Sequence, residues 1–244
     1  MILAGLPPAA FAIVAAAIFC GTIVQRLTGQ AYGMIAAPVV ALVAPEHLPA
    51  TLLIIGFVVG AGALSMDLSA VNWREAGPGF AGRAVGAFAG AALAASLTDR
   101  AGFGVVVALI VLFAVALTLS GLRLPIRPWT LAGAGLTAGV MGTMTAIGAP
   151  PMAILYANEE AKRARAMQNL FFVWGMVWSI GALWLAGLVG RSDLILALAL
   201  LPVAGAALLA ARPAARALEG RSVRPVALGL ATCAALAILA RSLA

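Results

Sequence analysis

The sequence MGTMTAIGAPP, residues 141–151, interrupts a long apolar region in the second half of this chain. Proline has no backbone N–H and glycine tolerates positive φ, so a helix is expected to end within this stretch. In a lipid bilayer, the backbone groups freed at such a break must be buried in protein or line a water-filled cavity. The stretch therefore predicts a broken helix inside a membrane protein.

A second break stands in the first half of the chain. It reads QRLTGQAYG, residues 25–33, and Pro38 follows it. A short apolar run comes after each break, at residues 33–45 and 149–157. Short, Gly- or Pro-interrupted segments at matching places in two halves indicate the binding site of a transporter.

The composition excludes a soluble protein. Of 244 residues, 64% are hydrophobic and 9% are charged, whereas soluble domains have about 25% charged residues. Nucleic acid is not an expected partner, because the basic residues lie in short gaps between apolar runs, where topology signals belong. A single His47 and two cysteines in apolar runs, Cys20 and Cys233, predict no metal site, no cofactor and no disulfide.

The apolar runs predict an all-α integral membrane protein of about ten segments. Eight runs are long enough to cross a hydrocarbon core of about 30 Å: residues 7–27, 49–67, 77–97, 101–120, 129–147, 166–188, 193–211 and 223–241. With the two short runs, the order is long, short, long, long, long, and then the same again. A shift of 113 also places the segment Pro38–Glu46 on Pro151–Glu159. We therefore predict two five-segment repeats, 1–122 and 128–244, each with a Gly/Pro-broken short helix.

Charge favours ten crossings over eight. If the short runs are re-entrant, eight crossings divide the 15 basic residues nine to six. If each short run completes a passage with its break, the division is twelve to three, as the positive-inside rule prefers. The smaller set is Arg100, Arg191 and Arg241, and the larger set is Arg26, Arg74, Arg83, Arg123, Arg127, Lys162, Arg163, Arg165, Arg212, Arg216, Arg221 and Arg224. Because each repeat then has five crossings, an odd number, the two repeats are inverted relative to each other. Both termini are predicted outside a bacterial-type inner membrane.

Glycines recur at helical spacing in two further places. Gly82, Gly86 and Gly90 follow one another every four residues, as do Gly135 and Gly139. Small residues at this spacing let two helix backbones approach closely in lipid. We expect general helix packing at these positions.

The breaks supply the polar groups of a predicted anion site. Hydroxyl and amide side chains stand beside glycines and a proline that open the backbone, and interrupted helices point N-terminal amides at such a site. The candidate residues are Gln25, Thr28, Gly29, Gln30, Tyr32, Gly33, Thr143, Thr145, Gly148, Pro150, Gln168 and Asn169. Arg26 is the charge beside the first break; it either attracts the anion or reaches the lipid headgroups.

These motifs resemble those of the sulfite exporter TauE/SafE family of membrane transporters. The resemblance is carried by LTGxxxG at residues 27–33, by GxxGTxTxIGAPP at residues 139–151, and by RARA at residues 163–166 leading into an apolar helix. It implies a two-repeat carrier of small sulfur-containing or organic anions, such as sulfite, thiosulfate or sulfonates, working by alternating access.

Other functions stay open at this point. The same fold could carry a neutral metabolite or a cation, or form a non-transporting subunit of a membrane complex. A membrane enzyme is not expected, since neither a histidine-containing catalytic set nor a pair of embedded aspartates is evident. Protons are a candidate coupling ion; Glu46 and Glu159 follow the short runs and either titrate or serve as interfacial charges. The sequence does not predict an oligomeric state.

Overall fold

A computed structural model describes residues 3–97, 99–217 and 224–243. These residues form ten α-helices and two 3-10 turns, Pro45–His47 and Leu68–Ala70. The helices are α1 Pro8–Thr28, α2 Tyr32–Val43, α3 Ala50–Ser65, α4 Trp73–Ser96, α5 Arg100–Leu119, α6 Pro128–Thr145, α7 Pro150–Ala153, α8 Ala161–Leu185, α9 Arg191–Ala217 and α10 Arg224–Leu243. The predicted all-α class is confirmed.

The helices follow the apolar runs closely, with two differences. α9 continues past Pro202 and Pro213 to Ala217, beyond the predicted end at residue 211. α7 has four residues, because a turn replaces the helix after Ala153. Arg221, which the topology argument used, lies outside the described residues.

Within the described part of the chain, four helical stretches are long and apolar enough to cross a membrane. They are Pro8–Thr28, Ala101–Leu119, Ala161–Leu185 and Arg191–Ala211. Eight such runs were expected; α3 and the apolar part of α10 are shorter, and α4 and α6 are rich in glycine and alanine. The chain is a multi-pass membrane protein.

The predicted close packing of helices at glycines is confirmed for α4 and α6. A β-carbon at Gly82 would overlap the Ala132 carbonyl oxygen, and one at Gly86 would overlap the Leu136 carbonyl oxygen. From α6, a β-carbon at Gly139 would lie 2.6 Å from the Gly86 α-carbon. The two backbones are therefore in direct contact, as small residues allow in a membrane.

Charged residues gather at the two opposite ends of the bundle. We call one the arginine end, defined by Arg26, Asp67, Glu75, Arg163 and Arg165, which are joined by ion pairs. Both Arg26, near the end of α1, and Asp67, just after α3, lie there. Because α1 and α3 finish at the same end, the chain must return through α2 between them.

The opposite end, at the start of α3, is called the histidine end. It is defined by His47 and Asp193, which form a buried pair, and by Glu46, Asp99 and Arg241, which line one cavity. α3 has 16 residues, so the two ends are separated by about 24 Å of helix. Cys20 and Cys233 are both free and exposed.

Candidate functional site

The first break is held by its own polar side chains. α1 ends at Thr28, and Gly29 adopts a left-handed conformation with φ 80°. The Thr28 hydroxyl donates to the Val24 carbonyl and accepts the Gln30 N–H. The Tyr32 N–H donates to Gln25 Oε1 at 3.0 Å. These bonds satisfy the backbone where the helix stops.

The second break repeats this arrangement. α6 ends at Thr145, and Ala146 is left-handed with φ 61°. The Thr145 hydroxyl donates to the Met141 carbonyl and accepts the Ile147 N–H. Thr28 and Thr145, which are 117 residues apart, therefore make the same pair of hydrogen bonds at the two helix ends.

The expectation of free helix N-terminal amides at the breaks is wrong for Gln30, Tyr32 and Ile147. Their N–H groups already donate to side-chain oxygens. α7 also begins with two prolines, Pro150 and Pro151, which have no N–H to offer. These five positions therefore have no backbone N–H left for an anion.

The two breaks lie against each other inside the protein. Gly33 packs so closely on the backbone of Ala146 that a β-carbon there would overlap the Ala146 carbonyl oxygen. Gln25 extends the link to α8, because its Nε2 donates to Asn169 Oδ1 at 2.9 Å. Both Gln25 and Asn169 are fully buried. Gln25, Gly33 and Asn169 thus lie in one buried region with the second break.

Arg83 is a buried charged residue at the second break that the sequence argument did not single out. It was counted with the loop arginines, but it lies in the middle of α4 and is 1% exposed. Its guanidinium reaches the second break, where a β-carbon at Gly148 would lie 2.5 Å from Nη1 and one at Gly142 would lie 2.6 Å from Nη2. An arginine inside an apolar run was the available signal, since such residues mark substrate pathways in membrane proteins.

Arg83 is short of hydrogen-bond partners. Its Nε and Nη1 have no acceptor among the described residues. The buried Gln168 Oε1 has no donor among them either. Both side chains line a cavity of about 10 Å³, with Gly148, Ala149, Met152 and two phenylalanines of α8. A cavity of this size holds about one water molecule at most. A larger anion can enter only when the walls move apart.

A vestibule of about 480 Å³ lies beside this cavity, towards the arginine end. Gln168 lines both spaces, so it stands between them. Thr28, Gln30 and Pro150 lie in the vestibule wall, together with Arg123 and Arg165 near the arginine end. Four of the predicted site residues therefore border a path towards Arg83.

A second vestibule, of about 400 Å³, lies at the histidine end. Below it is a narrow cavity of about 10 Å³ that shares Ala41 and Leu48 with the vestibule and reaches Thr145. Thr145 stands three residues before Gly148, which touches Arg83. Approaches from both ends therefore converge on the second break.

The remaining predicted residues are engaged in packing contacts. Thr143 shares a hydrogen bond of 2.7 Å with Ser179 of α8. The buried Tyr32 hydroxyl donates to the Leu52 carbonyl. Gly29 packs on the backbone of Arg165. These residues join the breaks to α3 and α8.

Arg26 lines neither vestibule and pairs with Asp67 instead. Its Nη1 lies 3.2 Å from Asp67 Oδ2, and the same carboxylate accepts 2.7 and 3.1 Å bonds from Arg165. Burial alone would raise the pKa of Asp67, but the hydrogen bond and charge of Arg165, with the charges of Arg26 and Lys162, lower it below its ordinary value. The carboxylate therefore stays ionised between two arginines and ties α1 to α8.

The fold and this buried site define a class: a multi-pass membrane protein with broken helices around an embedded arginine. The sulfite exporter TauE/SafE family matches residues 13–238, nearly the whole chain. This protein belongs to that family, whose members are membrane transporters. Among curated proteins and among solved structures, no significant match is found.

Proposed function

We propose that this protein is a secondary transporter or facilitator of small sulfur-containing or organic anions, and that Arg83 binds the anion. The observation that carries the proposal is a fully buried guanidinium with two unpartnered nitrogens. A buried charge without a partner destabilises a protein. An anion at Arg83 would accept the missing hydrogen bonds, which are strong because both groups are charged.

Gln168 is the second binding residue in this proposal. Side-chain amides can present either their oxygen or their NH₂ group, so rotation would turn a donor towards an anion. The oxygens of sulfite, thiosulfate or a sulfonate suit a donor set of this kind. A cation is disfavoured beside Arg83, which argues against the alternative of a cation carrier.

We infer an alternating-access mechanism from the pairing of helices. If α1 to α5 correspond in order to α6 to α10, the contact of α1 with α9 matches that of α6 with α4, and the contact of α2 with α10 matches that of α7 with α5. The corresponding helices α3 and α8 pack on each other, and so do α5 and α10. This pattern is what a two-fold relation between repeats 1–122 and 128–244 would produce. Inverted repeats that rock against each other open a central site to each side in turn. The two vestibules and the narrow cavities beneath them support this mechanism.

Two further expectations stay proposals: a location in a bacterial-type inner membrane with both termini outside, and protons as a coupling ion. The prediction of ten membrane crossings agrees with the course of the chain, which runs back through α2 between α1 and α3. The arginine end would then face the cytoplasm, as the positive-inside rule prefers.

Uptake of labelled sulfite, thiosulfate and a small sulfonate into proteoliposomes tests the proposal. Arg83→Gln should reduce saturable uptake by about tenfold or more, since a hydrogen bond to a charged group contributes about 1.5–3 kcal/mol. Arg74→Gln is the matched control, because Arg74 is an exposed arginine on the same helix. It should transport like the wild type.

Two results would overturn the assignment. Uptake that survives in a folded Arg83→Gln protein would move the anion site away from Arg83. No uptake of any anion by folded wild-type protein would favour a carrier of neutral cargo or a non-transporting subunit. Monodisperse elution in detergent serves to show that each variant is folded.

A further inference from the structure

His47 is the sole histidine of the chain, and it is buried in a contact between the two halves. Its Nδ1 lies 2.9 Å from Asp193 Oδ1, and the two residues are 4% and 6% exposed. Thr51 donates its hydroxyl to the same oxygen at 3.3 Å. Asp193 Oδ2 accepts the Gly190 N–H at 2.8 Å. The contact joins the segment before α3 to the first turn of α9.

A pair in the corresponding position exists at the arginine end. Asp193 is the third residue of α9, and Glu75 is the third residue of α4. Glu75 accepts a 2.8 Å bond from Arg163 at the start of α8. At the histidine end the contact joins the beginning of α3 to the beginning of α9. At the arginine end the contact joins the beginning of α8 to the beginning of α4.

The two contacts differ in the chemistry of the base. Arginine keeps its charge at every physiological pH. Histidine is the side chain whose charge ordinarily changes between pH 5 and 8. A proton can therefore alter the contact at the histidine end while the contact at the arginine end stays charged.

The charged surroundings of this pair can be named from every element packed on it. Beside His47 stands Glu46 and beside Asp193 stands Arg191, and both are exposed. Asp99 and Arg241 share the vestibule wall with Glu46. α3 presents Thr51, and α1, which packs on α9, has no acidic or basic residue from Pro8 to Val24. Within the described residues, the buried partner of His47 is Asp193.

We infer that His47 and Asp193 form a proton-binding site that keeps the histidine end closed in its protonated state. The protonated pair is joined by a charge-assisted hydrogen bond, about twice as strong as a neutral one. Loss of the proton weakens the contact between α3 and α9, and the histidine end then opens more readily. The inference rests on the proposed carrier function, because it concerns access to the site from one side.

Thiol accessibility in the histidine-end vestibule tests the inference without any substrate. Ala41→Cys is placed in this vestibule in a protein that also carries Cys20→Ala and Cys233→Ala, and a membrane-impermeant maleimide is applied at about pH 5.5 and about pH 8. Alkylation is itself faster at higher pH, because the thiolate is the reactive form. The rate is therefore divided, at each pH, by the rate of the same protein carrying His47→Gln.

The ratio compares the alkylation rate with His47 to the rate with His47→Gln. We expect it to be about one-fifth or less at the lower pH, which is within the usual range of coupling between sites. At the higher pH it should lie within about twofold of one. Glu46→Gln, which removes the exposed acid next to His47, should leave this pH dependence intact. A ratio that is equal at both pH values would overturn the inference, and so would loss of the pH dependence in Glu46→Gln.

A direct titration covers the case in which His47→Gln does not fold. Because the chain has one histidine, the ring signals of labelled wild-type protein in an NMR spectrum report His47 alone. The alkylation rate of Ala41→Cys is divided at each pH by the rate of the same protein in its unfolded state, which removes the pH dependence of the thiol itself. The ring signals should change over the same pH range as this corrected rate. Titration over a different range would contradict the inference. Neither measurement depends on transport, so failure to carry any anion would count against the proposed function alone.

Discussion

Three glycines surround the Arg83 guanidinium. Gly142 and Gly148 approach it from the second break, and Gly175 approaches it from α8. A β-carbon at Gly175 would overlap Arg83 Nε, one of the two nitrogens without an acceptor. The space for the arginine side chain therefore exists only because these positions lack side chains.

Gly175→Ala should displace Arg83 and impair transport. We expect saturable anion uptake to fall by about tenfold, comparable to losing one charged hydrogen bond. Gly181→Ala on the same helix is the control, because nothing lies within 4 Å of a β-carbon there. Uptake by proteoliposomes measures both. Wild-type transport by Gly175→Ala would mean that the position of this guanidinium does not matter for the anion.

At this scale the sequence predicted the polar residues of the breaks better than the charge that they face. Thr28 and Thr145 could be recognised, because hydroxyl side chains that bond to nearby backbone groups are typical of helix ends. Arg83 could not be placed, because the direction in which a glycine-rich helix turns the arginine at its middle depends on packing with α6 and α8. Arg26 seemed the better candidate from its position beside the first break, but its partner Asp67 is 41 residues away.

Among the elements, α4 and α6 form the contact that sets Arg83 opposite the second break. The contact is backbone to backbone at Gly82, Gly86 and Gly139. Arg83 follows Gly82 directly, so the side chain leaves α4 at the point of closest approach. A small separation of these helices would carry the guanidinium away from Gly148.

Gly86→Ala should therefore destabilise the protein. Its β-carbon would overlap the Leu136 carbonyl oxygen and lie 2.9 Å from the Gly139 α-carbon, and overpacking of this kind costs about 1–3 kcal/mol. Gly77→Ala, on the same helix with open space around it, should be neutral or stabilising by up to about 1 kcal/mol. Unfolding midpoints in detergent compare the two. Equal midpoints would show that α4 and α6 can separate without loss.

The sequence predicted the position of each break but not the register between them. Glycine and proline end a helix for local reasons, so the ends of α1 and α6 could be expected near Gly29 and Gly148. The equivalence of Gly29 with Ala146 follows from their left-handed backbones. Alanine gives no sequence signal for that conformation, since it is unfavourable for residues with a β-carbon.

In the whole molecule, a contact between ionisable side chains ties the two halves together at each end. Asp67 joins Arg26 of α1 to Arg165 of α8 at the arginine end, and Asp193 meets His47 at the other. An alternating carrier must break one such contact while keeping the other. In the proposed carrier, the relative free energies of the two contacts would set which end is open when no anion is bound.

Asp67→Asn should lower the unfolding midpoint at neutral pH, because both arginines lose their ionised partner. The pKa of Asp67 is lowered in the folded protein. Its contribution is therefore fully present above the ordinary aspartate pKa of about 3.9, and is lost as the pH falls through the lower, folded value. The difference in midpoint between wild type and Asp67→Asn should stay constant from pH 7 to about pH 5 and shrink as the pH falls below about 4.

Glu160→Gln is the control for this measurement, because Glu160 is an exposed acid at the start of α8. Its midpoint should stay close to that of the wild type at neutral pH. A difference between wild type and Asp67→Asn that persists unchanged to pH 3 would mean that the carboxylate charge does not hold α1 to α8. The contact between α1 and α8 would then depend on packing rather than on the charge of Asp67.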